Sequence, residues 1–377
     1  MDWLNFFEPF PEVTFAPNSL GANWTQASNS TDLKEFQVAI MAVPENRWVN
    51  SEEVPAECPS SLIERIGSLY IHEGKIECLV IGQLKLGATV EDTEAAVKDV
   101  VEQCLMNRVC PIIIGGDRRL MQAVYGAYEH LEQVVNLTTV DPWLHLGDAE
   151  RSGMIGELVM RQPNFLFNYS NIGFQTYLNS PQELELAEKL FFDSHRLGKI
   201  RGSVHLSEPI IRGSEVVALS MDAVKHAEFS ASTSPQPNGF YAEEVCQMMR
   251  YAGLSEKCEV MLLSDIDHDK LRLADELLIA EMVWCFIDGF SIRKTEVPSS
   301  TSESFLKYRI PLRDDEFQLV FYKSLNTDRW WMEVPVPPQQ ASKYRKHCLV
   351  PCDYEDYQVA TEDDLPERWW KTYKKML

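Results

Sequence analysis

The chain has 377 residues, of which 45% are hydrophobic and 24% are charged, and this composition is typical of a globular protein with a large core. Its formal net charge of −22 argues against nucleic acid or an anionic membrane surface as a partner. No apolar segment approaches the roughly 18 residues of a membrane span, and the first residues lack the pattern of a signal peptide. Nine scattered cysteines without a C-x-x-C pair favour free thiols. We therefore expect a cytoplasmic protein that binds neither nucleic acid nor a membrane.

Short apolar runs alternate with stretches of helical periodicity along residues 36–290. Strands are predicted at 36–44, 77–82, 110–114, 134–140, 165–173, 216–221 and 259–265. Helices are predicted at 90–107, 119–131, 181–197, 241–252 and 272–289. This alternation predicts an α/β protein of three layers, in which a doubly wound parallel sheet lies between helices on both of its faces.

The composition changes on either side of this region. Residues 1–34 are rich in Asn, Ser, Pro and aromatic residues, and they are predicted to form an arm that packs on the α/β domain, residues 35–294. Residues 298–302 have the composition of a linker, and short strands are predicted beyond it at 305–310, 317–321 and 330–336. Residues 295–377 are therefore predicted to form a β-rich C-terminal extension.

The extension carries a patch of three residues, Arg329, Trp330 and Trp331. Aromatic residues of this kind cover one face of a sheet, or form a subunit contact, in many proteins. Trp and Arg are also the residues that dominate the binding energy of protein interfaces. Both interpretations stay open, and the second predicts that a protein partner binds the extension through these residues.

The longest motif in the chain follows the predicted strand at 216–221. The run Val216-Val217-Ala218-Leu219 has the pattern of a strand buried on both faces, and Asp222 stands at its carboxyl end, where open α/β sheets bind ligands. This stretch resembles the Ser-x-Asp-x-Asp-x-x-Asp-Pro-x-Phe signature of the ureohydrolases and the Pro-x-Pro-x-Gly-Leu segment that follows it. The positions in register are Ser220, Asp222, Phe229, Pro235, Pro237, Gly239 and Glu243.

The ureohydrolases are the arginases, agmatinases and formimidoylglutamases, which use two manganese ions to hydrolyse a guanidino or formimino C–N bond. The resemblance implies an arginase-like fold for about residues 36–290. It also implies six metal ligands: a His after Gly-Gly-Asp, an Asp-x-His-x-Asp, and the first two aspartates of the signature. The segment Ser170-Asn171-Ile172-Gly173-Phe174-Gln175 further resembles the formimidoylglutamase branch.

Four of the six ligands that the resemblance implies are replaced. The replacing residues are, in chain order, Arg118 (after Gly115-Gly116-Asp117), Trp143, His145 and Val224. Asp141 and Asp222 are retained, and Asp265 corresponds to the Glu that closes the substrate site of the family. No metal cofactor is therefore expected. Under the alternative that a metal is kept, it is manganese, held by Asp141, His145 and Asp222.

Arg118 places a permanent positive charge where the family has a neutral histidine. Carboxylates crowded together without metal ions repel one another, so their pKa values rise. A guanidinium can donate to two carboxylates at once. We therefore predict that Arg118 reaches Asp141 or Asp222 as an internal counterion, and that Trp143 fills the volume of the second ion.

The favoured hypothesis is a catalytically degenerate ureohydrolase-fold protein, a pseudoenzyme that serves as an interaction or scaffolding protein. One alternative is an active C–N hydrolase of formimidoylglutamase or agmatinase type with an altered metal site. Another is a sensor, in which Asp222 and Asp265 grip a cationic guanidino or amine ligand. Family members are commonly trimers or hexamers, but the N-terminal arm and the C-terminal extension could block or replace that contact, so the oligomeric state stays open and a homo-oligomer is one alternative.

Overall fold

The computed structural model describes residues 2–48, 57–72, 75–147, 153–298, 303–312 and 317–377. The predicted linker at 298–302 lies almost entirely outside these described residues. Within the described ranges, no helix is both long enough and apolar enough to cross a membrane. A ten-stranded sheet and a four-stranded sheet organise this part of the chain.

The larger sheet carries most of the protein. Its strands are β1 (Phe7–Glu8), β2 (Trp24–Gln26), β3 (Val38–Val43), β4 (Cys78–Leu84), β5 (Cys110–Gly115), β6 (Val135–Val140), β7 (Leu166–Phe174), β8 (Asp193–Arg196), β9 (Val216–Ser220) and β10 (Val260–Ser264). Their order is β1-β4-β3-β5-β10-β9-β6-β7-β8, and β2 pairs with another stretch of β4. β1 is antiparallel to β4, and the other pairs are parallel. The predicted N-terminal arm thus adds two short strands to this sheet.

Helices cover both faces of the larger sheet. They are α1 (Ser60–Ser68), α2 (Val90–Met106), α3 (Leu120–His130), α4 (Met154–Met160), α5 (Pro181–Lys189), α6 (Leu197–Arg201), α7 (Glu208–Arg212), α8 (Ala242–Leu254) and α9 (Leu273–Ser291). Alternate residues of β3 enter two separate apolar clusters. Ile40 belongs to a cluster with residues of α1, α8 and α9, and Met41 to a cluster with residues of α2 and α3. The sheet therefore lies between two helical layers, and the predicted three-layer α/β class is confirmed.

Local sequence signals account for these elements. β5 and β10 are continuous buried runs, because helices cover both faces of a central parallel strand. Thr89 and Ser180 begin α2 and α5 with capping boxes, in which the hydroxyl accepts from a backbone N–H three residues later and an acidic side chain accepts in return. Replacement of such a cap by Ala typically costs about 1 kcal/mol.

The C-terminal extension forms a sheet and a core of its own. Its strands β11 (Phe305–Leu312), β12 (Phe317–Ser324), β13 (Trp330–Glu333) and β14 (Leu349–Cys352) are antiparallel neighbours in that order. Its helices are α10 (Ala341–Tyr344), α11 (Tyr354–Thr361) and α12 (Glu367–Met376). Phe321, Met332 and Trp369 lie in one apolar cluster. The β-rich extension is confirmed, whereas its helices were not predicted and the boundary at 294/295 stays a prediction.

The extension packs against the amino ends of strands of the larger sheet. Asn136, at the start of β6, lies 3.2 Å from Nδ1 of His347. Arg212, just before β9, donates to the carbonyl oxygen of Trp330 at 3.1 Å. Because a strand rises about 3.3 Å per residue, Val140 at the carboxyl end of β6 lies roughly 13 Å from Asn136. The extension therefore leaves the opposite edge of the sheet uncovered.

The helix predicted at 181–197 ends eight residues earlier than predicted. Helix α5 ends at Lys189, and Phe191 then adopts a φ of 56°, in the left-handed region that interrupts a helix. Phe192 packs edge-on against Tyr169, with ring centroids 5.6 Å apart. This aromatic contact holds the following residues, β8, beside β7 as an edge strand.

Candidate functional site

Four neighbouring strands of the larger sheet end side by side, each followed by a charged residue. The strands are β5, β10, β9 and β6, adjacent in that order. The residues that stand within three positions of their carboxyl ends are Arg118, Asp265, Asp222 and Asp141, respectively. Because the carboxyl ends of parallel strands meet at one edge, the topology brings these four side chains together.

The guanidinium of Arg118 lies among the three carboxylates and donates to all of them. Its Nε donates to Asp265 Oδ1 at 2.9 Å, and its Nη1 donates to Asp141 Oδ2 at 3.1 Å. Its Nη2 donates to Asp222 Oδ2. Only 12% of the Arg118 side chain is exposed, and no aspartate side chain exceeds 4%. Arg118 thus reaches both aspartates that the sequence suggested, and a third one, Asp265.

Backbone donors hold the carboxylates in place. Asp222 Oδ1 accepts from the N–H of Ser234 at 2.8 Å, and Asp141 Oδ1 accepts from the N–H of Trp143 at 2.8 Å. Ser234 lies in the proline-rich part of the signature, so in this chain that loop supplies a donor to Asp222. In each aspartate, one carboxylate oxygen therefore accepts from Arg118 and the other accepts from a backbone N–H. Buried polar groups are usually satisfied by hydrogen bonds in this way.

His145 is a fourth side chain on the guanidinium. Its Nε2 lies 2.8 Å from Arg118 Nη1 and 3.1 Å from Asp141 Oδ2. An unprotonated Nε2 accepts from Arg118, whereas a protonated Nε2 donates to Asp141. His145 and Asp265 adopt left-handed φ values of 53° and 61°. Such a backbone costs on the order of 1–3 kcal/mol per residue and persists only where surrounding contacts fix it.

Burial and crowding shift the pKa values of this cluster. Burial and the charge of Asp265 raise the pKa of Asp222 to about 7, against the lowering effect of Arg118. Burial also acts to raise the pKa of Asp141, but Arg118 and His145 outweigh it, so this pKa lies below its ordinary value. Burial acts to lower the pKa of Arg118, but the carboxylates raise it, so the guanidinium stays charged. The cluster therefore has more carboxyl groups than one guanidinium neutralises, and Asp222 takes up a proton near neutral pH.

Trp143 and Val224 stand at two further positions that the resemblance assigns to metal ligands. The Trp143 ring covers the guanidinium, with its centroid 5.0 Å from Arg118 Cζ, within cation–π range. Val224 is fully buried in the apolar cluster on the side of α1, α8 and α9. Neither side chain presents an oxygen or an imidazole nitrogen to a cation.

The donor set does not fit the dinuclear manganese centre that the resemblance implies. Such a centre needs about four to six O and N ligands around two ions ~3.5–4 Å apart. The three residues named for a retained metal, Asp141, His145 and Asp222, all contact the Arg118 guanidinium instead. Across the described ranges, no group of three or more His, Cys, Asp or Glu side chains is arranged to hold a metal ion.

Sequence reasoning missed the role of Asn171, which is fully buried. Its Nδ2 donates to the backbone oxygens of Trp143 at 2.9 Å and Asp141 at 3.2 Å, so it fixes the loop that carries both residues. Asn171 lies within the segment that resembles the formimidoylglutamase branch. A polar side chain in the middle of a buried strand was the signal that could have identified it.

The patch Arg329, Trp330 and Trp331 does not form an exposed surface. Only 8% of Trp330 and 6% of Trp331 is exposed. The Trp331 ring lies 4.4 Å from the guanidinium carbon of Arg212, and Arg329 Nε lies 3.1 Å from a carboxylate oxygen of Glu208. Their burial agrees with the first of the two interpretations that the sequence left open, in which the aromatic residues cover a face of the sheet, and their contacts join the extension to the rest of the chain.

No protein-family model and no curated protein sequence matches the chain. Solved structures do match it. A formiminoglutamase from Trypanosoma cruzi, solved with Mn²⁺, gives a TM-score of 0.61 at 15% identity over 71% of this chain and 97% of that chain. The formimidoylglutamase of Bacillus subtilis gives 0.63 at 13% identity over 78% and 99%, and the agmatine ureohydrolase of Thermoplasma volcanium gives 0.55 at 16% identity over 73% and 95%. The chain therefore has the fold of the ureohydrolases, as the resemblance implied.

Proposed function

We propose that this chain is a catalytically degenerate protein of ureohydrolase fold, which acts by binding another protein and not by hydrolysis. The observation that supports this proposal is the position of the Arg118 guanidinium. It donates to Asp141, Asp222 and Asp265 at the edge of the sheet where the resemblance assigns two metal ions. A positive charge fixed to the chain thus takes the place of cations that the family binds from solution.

A guanidinium cannot perform the chemistry of a metal pair. Two bound metal ions lower the pKa of a bridging water and generate a hydroxide nucleophile at neutral pH. The guanidinium of Arg118 offers only N–H donors, has no vacant coordination position and stays protonated. With Arg118 as its cation, the site offsets part of the charge of the carboxylates and does not activate water.

The two alternatives raised by the sequence need the same carboxylates. A hydrolase of formimidoylglutamase or agmatinase type would hold its metal through Asp141, His145 and Asp222, and a sensor would grip a cation through Asp222 and Asp265. A second unit charge about 4 Å from the guanidinium would add roughly 4 kcal/mol of repulsion at an effective dielectric constant near 20. Either alternative therefore requires Arg118 to leave the cluster and to give up three charge-assisted hydrogen bonds.

The partner, the location and the oligomeric state remain proposals. All nine cysteines are free, which is consistent with a reducing compartment such as the cytoplasm. A homo-oligomer is one alternative that the resemblance leaves open. We propose that a protein partner binds the C-terminal extension.

The proposal is tested by metal content and turnover of the full chain, with Arg118→His as the matched variant. After exposure to excess manganese and removal of unbound metal, we expect the wild type to retain less than one equivalent by elemental analysis. We also expect it to release neither formamide nor urea from formiminoglutamate, agmatine or arginine. Arg118→His restores the residue of the family and removes the counterion, so it should retain more manganese. Two equivalents of manganese with product release by the wild type would refute the proposal.

A further inference from the structure

A pocket lies in the C-terminal extension between helix α12 and the turn that precedes it. Its volume is about 280 Å³. The residues that line it include Pro335, Asp363, Asp364, Leu365, Trp370 and Tyr373. Sites for drug-sized ligands have volumes of about 300–1,000 Å³. The pocket is therefore of a size that suits one long side chain of a bound protein.

Aromatic rings form one wall of this pocket and are held rigidly. Trp369 is buried, and its indole N–H donates to the carbonyl oxygen of Glu333 at 2.9 Å. Tyr373 stacks on Trp369, with ring centroids 5.2 Å apart and planes inclined by 20°. Trp370, the next residue on α12, is 41% exposed. A fixed aromatic wall with one exposed indole has the composition of an interface hot spot.

The mouth of the pocket is acidic. Asp363 and Asp364 are both exposed, and they lie in a turn whose backbone is fixed by bonds to the end of α11. Asp363 adopts a φ of 63°, and Asp364 Oδ1 accepts from the N–H of Leu365 at 2.8 Å. The carboxylate of Asp364 is thereby oriented at the rim. A negative rim beside an indole ring favours a cationic group.

The chain itself shows that Trp370 accepts a cation. Nζ of Lys374 lies 4.5 Å from the centroid of the Trp370 ring and so covers one of its faces. A planar guanidinium can stack on the other face and donate to a carboxylate at the same time, which an ammonium does less well. With a net charge of −22, the chain repels a second copy of itself and attracts a basic partner.

We propose that this pocket binds an arginine side chain of a different, basic protein. The guanidinium stacks on Trp370 and donates to Asp364, and its aliphatic stem packs on Leu365 and Pro335. This inference rests on the proposed function, because it names the partner chemistry of the same interaction protein. It places the partner site about forty residues beyond Trp330 and Trp331, for which the sequence left a partner-binding role open.

The probe for this pocket is the peptide acetyl-Gly-Arg-Gly-amide at millimolar concentration. Its binding to the full chain is measured by saturation-transfer NMR. Its control is the same peptide with citrulline, a neutral isostere of arginine. We expect the arginine peptide to bind and the citrulline peptide to bind at least tenfold more weakly. Binding of the arginine peptide should also weaken as salt is added, since its charge contributes.

Matched variants locate the binding site. We expect Trp370→Ala to lower the affinity for the arginine peptide at least tenfold and Asp364→Asn to lower it severalfold. Tyr354→Ala is the control, because Tyr354 is a 53% exposed aromatic residue of the same extension outside the pocket. Thermal unfolding checks that each variant folds. If Trp370→Ala does not fold, the affinities of Asp364→Asn and of the wild type for the arginine peptide are compared instead.

Three outcomes would overturn this inference: no binding of the arginine peptide, equal binding of the citrulline peptide, or binding that neither pocket variant weakens. A self-association in sedimentation that Trp370→Ala abolishes would identify a second copy as the occupant and would also overturn it. These results are independent of the manganese and turnover assay. The inference can therefore fail while the proposed function stands, and the reverse also holds.

Discussion

The two ends of the larger sheet hold buried charge in opposite ways. At the carboxyl end, the guanidinium of Arg118 meets three aspartates that belong to the same domain. At the amino end of the edge strand β8, Asp193 lies 3.4 Å from Nζ of Lys371 and 4.0 Å from Nζ of Lys375, both on α12 of the extension. Three carboxylates surround one guanidinium in the first cluster, whereas two ammonium groups lie beside one carboxylate in the second.

The pKa values follow this difference. At the carboxyl end, burial and neighbouring carboxylates raise the pKa of Asp222 to about 7. At the amino end, burial acts to raise the pKa of Asp193, but Lys375 and Lys371 outweigh it and bring the pKa to about 2. Burial lowers the pKa of Lys375 to about 8, against the effect of Asp193. The cluster around Arg118 thus lies within the larger sheet's own strands and loops, whereas the cluster around Asp193 joins the extension to that sheet.

The largest expected effect comes from removing the cation at the carboxyl end. Arg118→Ala leaves buried carboxylates without their counterion, and loss of one partner of a buried ion pair typically costs about 3–5 kcal/mol. We expect a decrease of this size in the free energy of unfolding, measured by urea denaturation at neutral pH. The control is Arg119→Ala, which removes the same charge one residue later, and which we expect to change stability by less than about 1 kcal/mol.

An added cation sharpens this experiment. Methylguanidinium chloride at millimolar concentration should raise the unfolding temperature of Arg118→Ala and leave that of the wild type unchanged, because a ligand of the folded state stabilises it. Sodium chloride at the same ionic strength is the control for screening. If Arg118→Ala were as stable as Arg119→Ala, the carboxylates would not depend on a cation and the comparison of the two ends would fail.

A smaller effect is expected at the amino end. Asp193→Asn removes the carboxylate that forms ion pairs with Lys371 and Lys375, and because these pairs are partly exposed the cost should be below that of a fully buried pair, on the order of 1–3 kcal/mol. We expect a loss of stability in this range, together with faster release of the extension in limited proteolysis. The control is Glu185→Gln, which breaks the exposed ion pair with Lys189 on α5 and should leave both measurements unchanged. Unchanged proteolysis of Asp193→Asn would show that other contacts attach the extension.

Much of the fold was predictable from local pattern, and the partners of Arg118 were predictable only in part. β9 begins with a continuous apolar run, and β6 is a short stretch rich in Val, Leu and Thr that is buried throughout, so the sequence places Asp222 and Asp141 at strand ends. Asp265 is 147 residues from Arg118, and the two meet because β10 lies beside β5. The order of strands in a sheet is a long-range property, which local periodicity does not encode.

The tryptophan pairs show a second limit of the sequence. Arg329-Trp330-Trp331 and Arg368-Trp369-Trp370 have the same pattern. The first pair lies on a strand, where successive side chains point to opposite faces, and both of these faces are covered. The second pair lies on a helix, where neighbours are about 100° apart, and only Trp369 faces the core. The same three-residue pattern therefore leads to different exposure on a strand and on a helix, and the sequence did not predict α12 as a helix.

The smallest expected effect concerns the proton on Asp222. Its pKa is about 7 in the folded protein and 3.8 as an ordinary aspartate, so between these pH values the folded state binds more protons than the unfolded state. The contribution of Asp222 to stability is therefore present below pH 4 and is lost as the pH rises through 7. Between about pH 6 and pH 8 the loss should be on the order of 1 kcal/mol.

The variant Asp222→Asn isolates the contribution of Asp222 to the free energy of unfolding, because the asparagine side chain does not titrate. Free energies of unfolding are measured for both proteins at several pH values, and the stability of the wild type should fall relative to that of the variant as the pH rises. His268, whose pKa burial lowers to about 4, makes both proteins less stable as the pH falls below about 6.5, and it cancels in the difference. Asp117, whose pKa burial raises to about 6, is also present in both. If the free energies of unfolding of the two proteins changed in parallel with pH, Asp222 would not be the group that binds the proton. The excess of carboxyl groups that distinguishes the Arg118 cluster from the Asp193 cluster would then not hold.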